Sequence, residues 1–237
     1  MTLLRLPLAL MACALALTGC SRADETFDAK VHAYLMAHPE VIQEAMTKLQ
    51  EKQEAQALAQ AKLTINQNRK ALEQDPRDFV ANPAGKITLT EFYDYRCPHC
   101  VNVAPAMVQL IQTNPDVRVV FKEFPIFGPT SERAAAGAIA VKKAGGDYLG
   151  VYHDFMAARP LDVAAIDAIL RTRGVDPAKL DQPELKAAAT QQLTDVRNLA
   201  IALDIQGTPA FIVGDTLIPG EDLAAVKAAI EKARGKG

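Results

Sequence analysis

The sequence predicts an α/β domain that carries an all-helical insertion and is preceded by an N-terminal helical segment. Three stretches rich in β-branched and aromatic residues, at 86–95, 117–124 and 210–213, have the composition of strands. About eighty Ala-rich residues with helical spacing separate the second stretch from the third. With 237 residues, the chain is long enough to bury a core without disulfide staples.

The first twenty residues have the pattern of a secretory leader that ends in a lipidation motif. A basic residue precedes the apolar run Leu6–Leu17, which is too short to span a bilayer. Leu17-Thr18-Gly19-Cys20 then resembles a bacterial lipobox, in which the cysteine is acylated and becomes the new N-terminus. The alternative is ordinary cleavage near Ala23. Either route predicts export to an oxidising compartment and leaves two thiols, Cys97 and Cys100, in the mature chain.

Residues 24–74 are predicted to form helices that lie outside the α/β domain. The range has no glycine, and its only proline, Pro39, stands where one helix ends and the next begins. From Leu58 to Leu72 the apolar spacing follows a coiled-coil rhythm of about two heptads. An apolar stripe precedes it, formed by Val31, Leu35, Val41, Ile42, Met46 and Leu49. The stripe has no evident core to cover, which favours an oligomerisation segment; a solvated helical linker is the alternative.

Turn residues between 75 and 85 mark the start of the α/β domain, which we assign to residues 82–237. The helical insertion covers about 131–204, with Asp162 and Asp176 as helix N-caps. After the insertion, Gly214-Asp215 is predicted to close a hairpin whose second strand covers 216–218. A closing helix is predicted from Glu221 to about Ala233.

A C-x-x-C motif follows the first strand and opens a helix, which is the arrangement that dithiol redox chemistry requires. In Cys97-Pro98-His99-Cys100 the two sulfurs lie within disulfide reach in one helical turn. The N–H groups and dipole of the helix N-terminus favour the thiolate of Cys97, Pro98 suits a first turn, and His99 adds partial positive charge. A depressed pKa of Cys97 stabilises the reduced form, which makes the disulfide a stronger oxidant.

Two other roles for these cysteines are open: a static structural disulfide and a metal site. A disulfide between residues three apart closes so small a loop that its entropic stabilisation is slight. The two thiols and four scattered histidines offer no second ligand pair at zinc spacing, so we assign no metal, although Cu(I) could bind the two thiolates. We expect no cofactor other than the redox-active disulfide itself.

Glu91 is a candidate proton carrier for the dithiol. In the strand it shares parity with Leu89 and Tyr93, so its carboxyl points where apolar side chains point, six residues ahead of the first cysteine. A buried carboxyl has a raised pKa and can exchange protons with a sulfur through water. The alternative is a solvent-exposed glutamate at a strand end. Asp94 and Arg96 are predicted to form a solvated rim.

Three motifs in order resemble the DsbA family of thioredoxin-fold disulfide oxidoreductases, and the similarity covers about residues 82–232. The motifs are EFYDYRCPHC at 91–100, FKEFP at 121–125 and GTPAF at 207–211. The resemblance implies a thioredoxin fold in which Cys97 attacks, Cys100 resolves, Pro209 is a cis-proline facing the dithiol and Glu91 is the family's buried acid. By the same resemblance, Thr208 and Pro209 are expected to line the groove that holds the substrate chain.

Two details of the resemblance point in different directions. The Pro98-His99 pair matches the strongly oxidising members, whereas Thr208 departs from the valine of the DsbA oxidases and resembles disulfide isomerases. Residues 24–74 are similar to the N-terminal helices of suppressor-of-copper-sensitivity C-type proteins, which build trimers. The resemblance therefore implies a homo-oligomer, most simply a trimer.

The function that the resemblance implies is thiol-disulfide exchange with client proteins in a bacterial periplasm, from a lipid-anchored position. A membrane redox partner would re-oxidise or reduce the dithiol. An oligomeric disulfide isomerase and a Cu(I)-binding protein that uses the same thiolates are the alternatives. Nucleic acid is not an expected partner, because 26 basic residues against 28 acidic ones offer no electrostatic footprint for it.

Overall fold

The structure is a computed structural model, and it describes residues 19–235. The predicted leader, residues 1–18, lies outside the described residues. The predicted lipidation site, Cys20, falls in the first turn of helix α1 (Gly19–Ala37), and its acylation stays a prediction. Among residues 19–235, no helix is both long enough and apolar enough to cross a membrane.

The chain divides into two compact units, with the boundary between Ala57 and Leu58. The first unit contains α1 and the first part of α2 (Glu40–Gln67), and the helices meet at Pro39 as predicted. Most of its large apolar side chains are exposed, namely Phe27, Val31, Tyr34, Met36, Ile42, Met46 and Leu49. Four of the six residues of the predicted apolar stripe are therefore exposed in this unit, and the other two, Leu35 and Val41, are half-buried.

The second unit, from Leu58 onward, is built on a five-stranded mixed sheet. Its strands are β1 (Phe79–Ala81), β2 (Ile87–Tyr93), β3 (Val117–Glu123), β4 (Ala210–Val213) and β5 (Thr216–Pro219). Their spatial order is β1-β3-β2-β4-β5; β2 and β3 run parallel, and the other neighbours are antiparallel. The helices of this unit after α2 are α3 (Arg69–Glu73), α4 (Pro98–Thr113), α5 (Pro129–Lys143), α6 (Tyr148–Ala157), α7 (Val163–Thr172), α8 (Pro183–Ala202) and α9 (Leu223–Arg234). This is a thioredoxin fold with a helical insertion, as predicted.

Local sequence signals account for several boundaries. Asp162 and Asp176 cap their helical segments by accepting hydrogen bonds from Ala165 N and Ala178 N, as predicted. The predicted hairpin joins β4 to β5, where Gly214 adopts a positive φ of 59°. Strand β1 was not predicted, because three residues are too few to show an alternating pattern.

The sheet separates two apolar cores, because alternate residues of a strand point to opposite faces. One core contains Tyr93 and Phe121 together with residues of α4 and α6. The other contains Phe92 with residues of α8, and also Ile65 and Leu72. Part of the coiled-coil pattern seen in residues 58–72 therefore reflects packing within the second unit, and the structural boundary lies at residue 57 instead of residue 74.

Candidate redox-active site

The dithiol lies where two neighbouring strands bring distant segments together. Cys97 occupies the N-cap position of α4 just after β2, without a side-chain capping hydrogen bond. Thr208 and Pro209 precede β4, which pairs with β2. The Cys97 thiol donates a hydrogen bond to the Thr208 carbonyl at 3.2 Å. The Thr208–Pro209 peptide bond is cis, as the resemblance implied. The structure thus brings the predicted cysteines and the predicted cis-proline into one site.

The two thiols, both free in the structure, differ in their acidity. A hydrogen bond from Cys100 lowers the pKa of Cys97 to about 5, and the backbone N–H groups of Cys100 and His99 act in the same direction. Burial raises the pKa of Cys100 well above that of a free thiol. Cys97 is only 2% exposed, against 0% for Cys100, so the expected contrast in accessibility is small. Acidity, more than exposure, distinguishes the two sulfurs.

Pro98 and His99, between the cysteines, are both exposed. Pro98 occupies the first turn of α4, where a missing N–H costs no hydrogen bond. The ring of His99 lies beside Glu221, with 3.4 Å between its Nδ1 and Oε1 of the glutamate. The sequence predicted that the His99 ring would place partial positive charge beside the Cys97 thiolate. In the structure the ring lies beside Glu221, and the backbone N–H of His99 helps to lower the pKa of Cys97.

Glu91 is fully buried in β2, as its strand parity predicted. Oε1 accepts one long hydrogen bond, of 3.4 Å, from the Tyr152 hydroxyl. Burial raises the pKa of Glu91 to about 8, although the hydrogen bond from Tyr152 opposes this rise. A carboxyl group with such a pKa is protonated at neutral pH and can still release its proton, which suits a proton carrier. The solvent-exposed alternative is wrong.

Asp94 is not part of a solvated rim, because its side chain is only 2% exposed. Its carboxylate accepts backbone hydrogen bonds from Arg96 at 2.7 Å, from Ile126 at 2.7 Å and from Phe127 at 3.0 Å. The Asp94 side chain therefore links the turn before the dithiol to the loop after β3 through hydrogen bonds. Ile126 and Phe127 expose their apolar side chains from that loop. Arg96 is exposed, as predicted.

We expect Asp94→Ala to lower the free energy of unfolding by about 2–4 kcal/mol, because three backbone N–H groups lose their acceptor. Urea unfolding of the reduced protein measures the change. Arg96→Ala is the matched control, since it removes one exposed contact to the Phe127 carbonyl and is expected to cost less than about 0.5 kcal/mol. Equal effects of the two substitutions would contradict this assignment.

Sequence reasoning also missed a second buried acid, Glu123, whose carboxyl lies among three tyrosine hydroxyls. The strand pattern around it could have revealed its burial, since it shares parity with Val119 and Phe121.

Among the described residues, no group of three or more His, Cys, Asp or Glu side chains is arranged to hold a metal ion.

The comparisons with known proteins agree with this geometry. A family model described as DSBA-like thioredoxin domain matches residues 88–231, more than half of the chain. The chain belongs to the DsbA-like thioredoxin family. A second model, the N-terminal domain of copper resistance protein ScsC, matches residues 25–56, which lie within the first unit of this DsbA-like protein.

Individual relatives extend the comparison. The thiol:disulfide interchange protein DsbA of Bordetella pertussis is 30% identical over 145 residues, which cover 59% of this chain and 69% of that protein. A linker-deletion mutant of Proteus mirabilis ScsC matches with a TM-score of 0.68 at 26% identity, over 90% of this chain and 96% of the mutant. A periplasmic thioredoxin-like protein from Salmonella enterica serovar Typhimurium matches at 0.63 and 29%, over 70% and 95%. This DsbA-like protein is a thiol-disulfide oxidoreductase.

Proposed function

We propose that the protein exchanges the Cys97–Cys100 disulfide with cysteines of client proteins through a mixed disulfide. The observation that carries this proposal is the placement of the two thiols: Cys97 stands at the N-terminus of α4 with its sulfur 3.2 Å from the Thr208 carbonyl, and Cys100 is fully buried one turn along the same helix. In this arrangement the pKa of Cys97 is lowered and that of Cys100 is raised. A sulfur with a low pKa is a good leaving group, and a sulfur with a high pKa stays protonated until it is needed.

In the oxidising direction, a client thiolate attacks the Cys97 sulfur and the Cys97–Cys100 bond breaks. The electron pair of that bond goes to the Cys100 sulfur, which takes up a proton. A second client thiolate then attacks the client sulfur of the mixed disulfide, and Cys97 leaves as a thiolate. The client gains a disulfide, and the enzyme keeps the two electrons as its dithiol.

Glu91 is the proposed proton donor for the Cys100 sulfur in this sequence and the proton acceptor in reverse. Its carboxyl is buried on the same side of the sheet as Cys100, and Tyr152 packs in that core. Its pKa of about 8 supports the role, because the protonated form predominates at neutral pH and is present when the Cys100 thiolate forms.

We further propose that the protein works in a bacterial periplasm, anchored by an acyl chain on Cys20, as a homo-oligomer whose first unit forms the interface. The leader pattern and the match to a periplasmic protein support the location. The exposed apolar residues of the first unit and the ScsC match over 25–56 support the oligomer, and a trimer is the form we favour. A membrane redox partner would re-oxidise the dithiol to the disulfide after each turnover.

Equilibration of the purified mature chain in glutathione buffers, followed by trapping of free thiols, tests the exchange. We expect one two-electron transition, and oxidation of a dithiol peptide by the disulfide form. A protein whose cysteines do not equilibrate with glutathione would instead contain a structural disulfide. Tight stoichiometric binding in an anaerobic Cu(I) titration, without peptide oxidation, would favour the copper-binding alternative.

A further inference from the structure

The acid–tyrosine cluster consists of Glu123, Tyr93, Tyr95 and Tyr148, and the proposed exchange reaction leaves it without a role. Oε1 of Glu123 lies 2.8 Å from the hydroxyl of Tyr93, 2.8 Å from that of Tyr95 and 2.6 Å from that of Tyr148. Glu123 is only 2% exposed, and its Oε2 is buried without a hydrogen-bond partner among the described residues. A carboxyl group enclosed in this way is costly to ionise, which calls for an explanation.

The cluster lies next to Glu91. Strands β2 and β3 are parallel, with Glu91 opposite Phe121 and Tyr93 opposite Glu123, so the two acids lie on one face and are offset by two residues. A strand spacing of about 4.8 Å and a rise of about 3.3 Å per residue place such positions about 8 Å apart. Tyr93, whose hydroxyl bonds Glu123, and Tyr152, whose hydroxyl bonds Glu91, pack against each other with 5.2 Å between ring centroids.

The hydroxyl geometry accommodates a proton on Glu123 as well as a charge. The four oxygens that take part make five contacts within hydrogen-bond distance, because Tyr93 also lies 3.1 Å from Tyr95 and 2.6 Å from Tyr148. Three tyrosine hydroxyls supply three hydrogens, and a protonated Glu123 supplies a fourth. When Glu123 is ionised, its Oε1 accepts a hydrogen bond from each of the three tyrosine hydroxyls. When Glu123 is protonated, its own hydrogen allows one more of the five contacts to be a hydrogen bond. Neither state leaves Oε1 unpaired.

We propose that Glu123 is a positioning residue for the dithiol reaction: held by its three tyrosines, it titrates together with Glu91 and sets the pH at which Glu91 gives up its proton. The inference rests on the proposed function of Glu91. Two buried carboxylates at this separation repel each other, so the ionisation of one delays that of the other.

The acidity of both groups is consistent with a coupled pair. Burial raises the pKa of Glu123 to about 8, against the opposing hydrogen bonds from Tyr148, Tyr93 and Tyr95. The pKa of Glu91 is also about 8, and the charge of Glu123 is among the causes that raise it. The other titratable groups that face the pair are Asp94, Tyr95 and Tyr152, with Cys97 and Cys100 at the start of α4.

The coupling would act on the step in which the mixed disulfide is resolved. With oxidised glutathione as oxidant, the Cys97 thiolate first attacks one sulfur of the glutathione disulfide. That disulfide bond breaks, one glutathione leaves as a thiolate and the other is joined to Cys97. The Cys100 thiol then gives its proton to the Glu91 carboxylate and its sulfur attacks the Cys97 sulfur. The Cys97–Cys100 bond forms, the bond to glutathione breaks, and glutathione leaves as a thiolate. The limiting rate at saturating oxidised glutathione therefore follows the ionisation of Glu91.

Carbon-13 NMR of glutamate-labelled reduced protein tests the coupling directly, and stopped-flow oxidation by glutathione tests its consequence. In Glu123→Gln we expect the titration midpoint of Glu91, and the midpoint of the limiting rate, to fall by about one pH unit. In Glu91→Gln the pH-dependent limb of the rate should be lost. Adding Glu123→Gln to Glu91→Gln should change the rate profile no further, because Glu123 acts through Glu91.

Two further variants separate coupling from structural damage. Tyr148→Phe removes one donor, keeps Glu123 protonated over a wider range and is expected to lower the Glu91 midpoint by a smaller amount; it also serves if Glu123→Gln does not fold. Asp78→Asn alters another buried acid, which pairs with Lys122 on the opposite face of β3, and should leave the midpoint unchanged. An unchanged Glu91 midpoint in folded Glu123→Gln and Tyr148→Phe overturns the inference, whether or not the protein exchanges disulfides.

Discussion

Alkylation of the reduced protein is expected to modify Cys97 with a midpoint near pH 5 and to leave Cys100 unmodified. At pH 6 nearly all Cys97 is thiolate, because the hydrogen bond from Cys100 holds its pKa at about 5. Relative to free cysteine, a thiolate fraction about 300-fold larger outweighs a nucleophilicity about 40-fold lower, which leaves a rate advantage of roughly tenfold. The measurement is iodoacetamide labelling between pH 4 and pH 9, followed by mass spectrometry.

The midpoint is the decisive quantity, because Cys97 is only 2% exposed and restricted access of the reagent slows the absolute rate without moving the midpoint. Cys97→Ser is expected to abolish exchange, since Cys100 keeps its proton at neutral pH. Cys100→Ser is expected to accumulate mixed disulfides with client proteins, visible on non-reducing gels, because nothing resolves them. Labelling of Cys100 before Cys97 would reverse the assigned roles.

The parts of this fold that follow from the sequence are those with local causes. The Gly214-Asp215 turn, the Asp162 and Asp176 caps and the break at Pro39 each depend on the backbone preferences of one or two residues. The dithiol helix is recognisable for the same reason. Because Glu91 is one of several alternating strand positions, its burial could be predicted as well.

The parts that escaped prediction depend on residues far apart in the chain. Asp94 is a charged residue next to a turn, which is typical of a surface position. It is buried because its carboxylate accepts hydrogen bonds from the N–H groups of Ile126 and Phe127, more than thirty residues later. The cluster around Glu123 needs tyrosines from β2 and from α6, which no local pattern connects. The predicted helical segment ended at residue 74, whereas the structural boundary lies after residue 57, and this difference also has a non-local cause. A coiled-coil spacing does not show whether the helix packs against another chain or against the chain's own sheet.

Deletion of residues 24–57 is expected to convert a homo-oligomer into a monomer that retains dithiol exchange and loses isomerase activity. The first unit exposes Phe27, Ile42 and Met46, and such a surface is stabilised by burial between subunits. Cys97, Cys100 and Glu91 all lie in the second unit, so oxidation of a dithiol peptide should change less than about twofold. Light scattering and reactivation of scrambled ribonuclease measure the two losses.

The longer deletion, of residues 24–74, is the informative comparison. It also removes Ile65 and Leu72, which are 2% and 0% exposed in the second core, and each such loss costs about 2–5 kcal/mol. We expect that variant to unfold at much lower urea concentration, whereas the shorter deletion leaves the second unit intact. In the full chain, Ile42→Glu with Met46→Glu should dissociate the oligomer without touching the catalytic unit. An isomerase gains from being an oligomer, because several dithiols can then hold one misfolded client. If the full chain is instead a monomer that cannot reactivate scrambled ribonuclease, the proposed interface is absent. The protein is then a plain oxidase, and its first unit is a spacer.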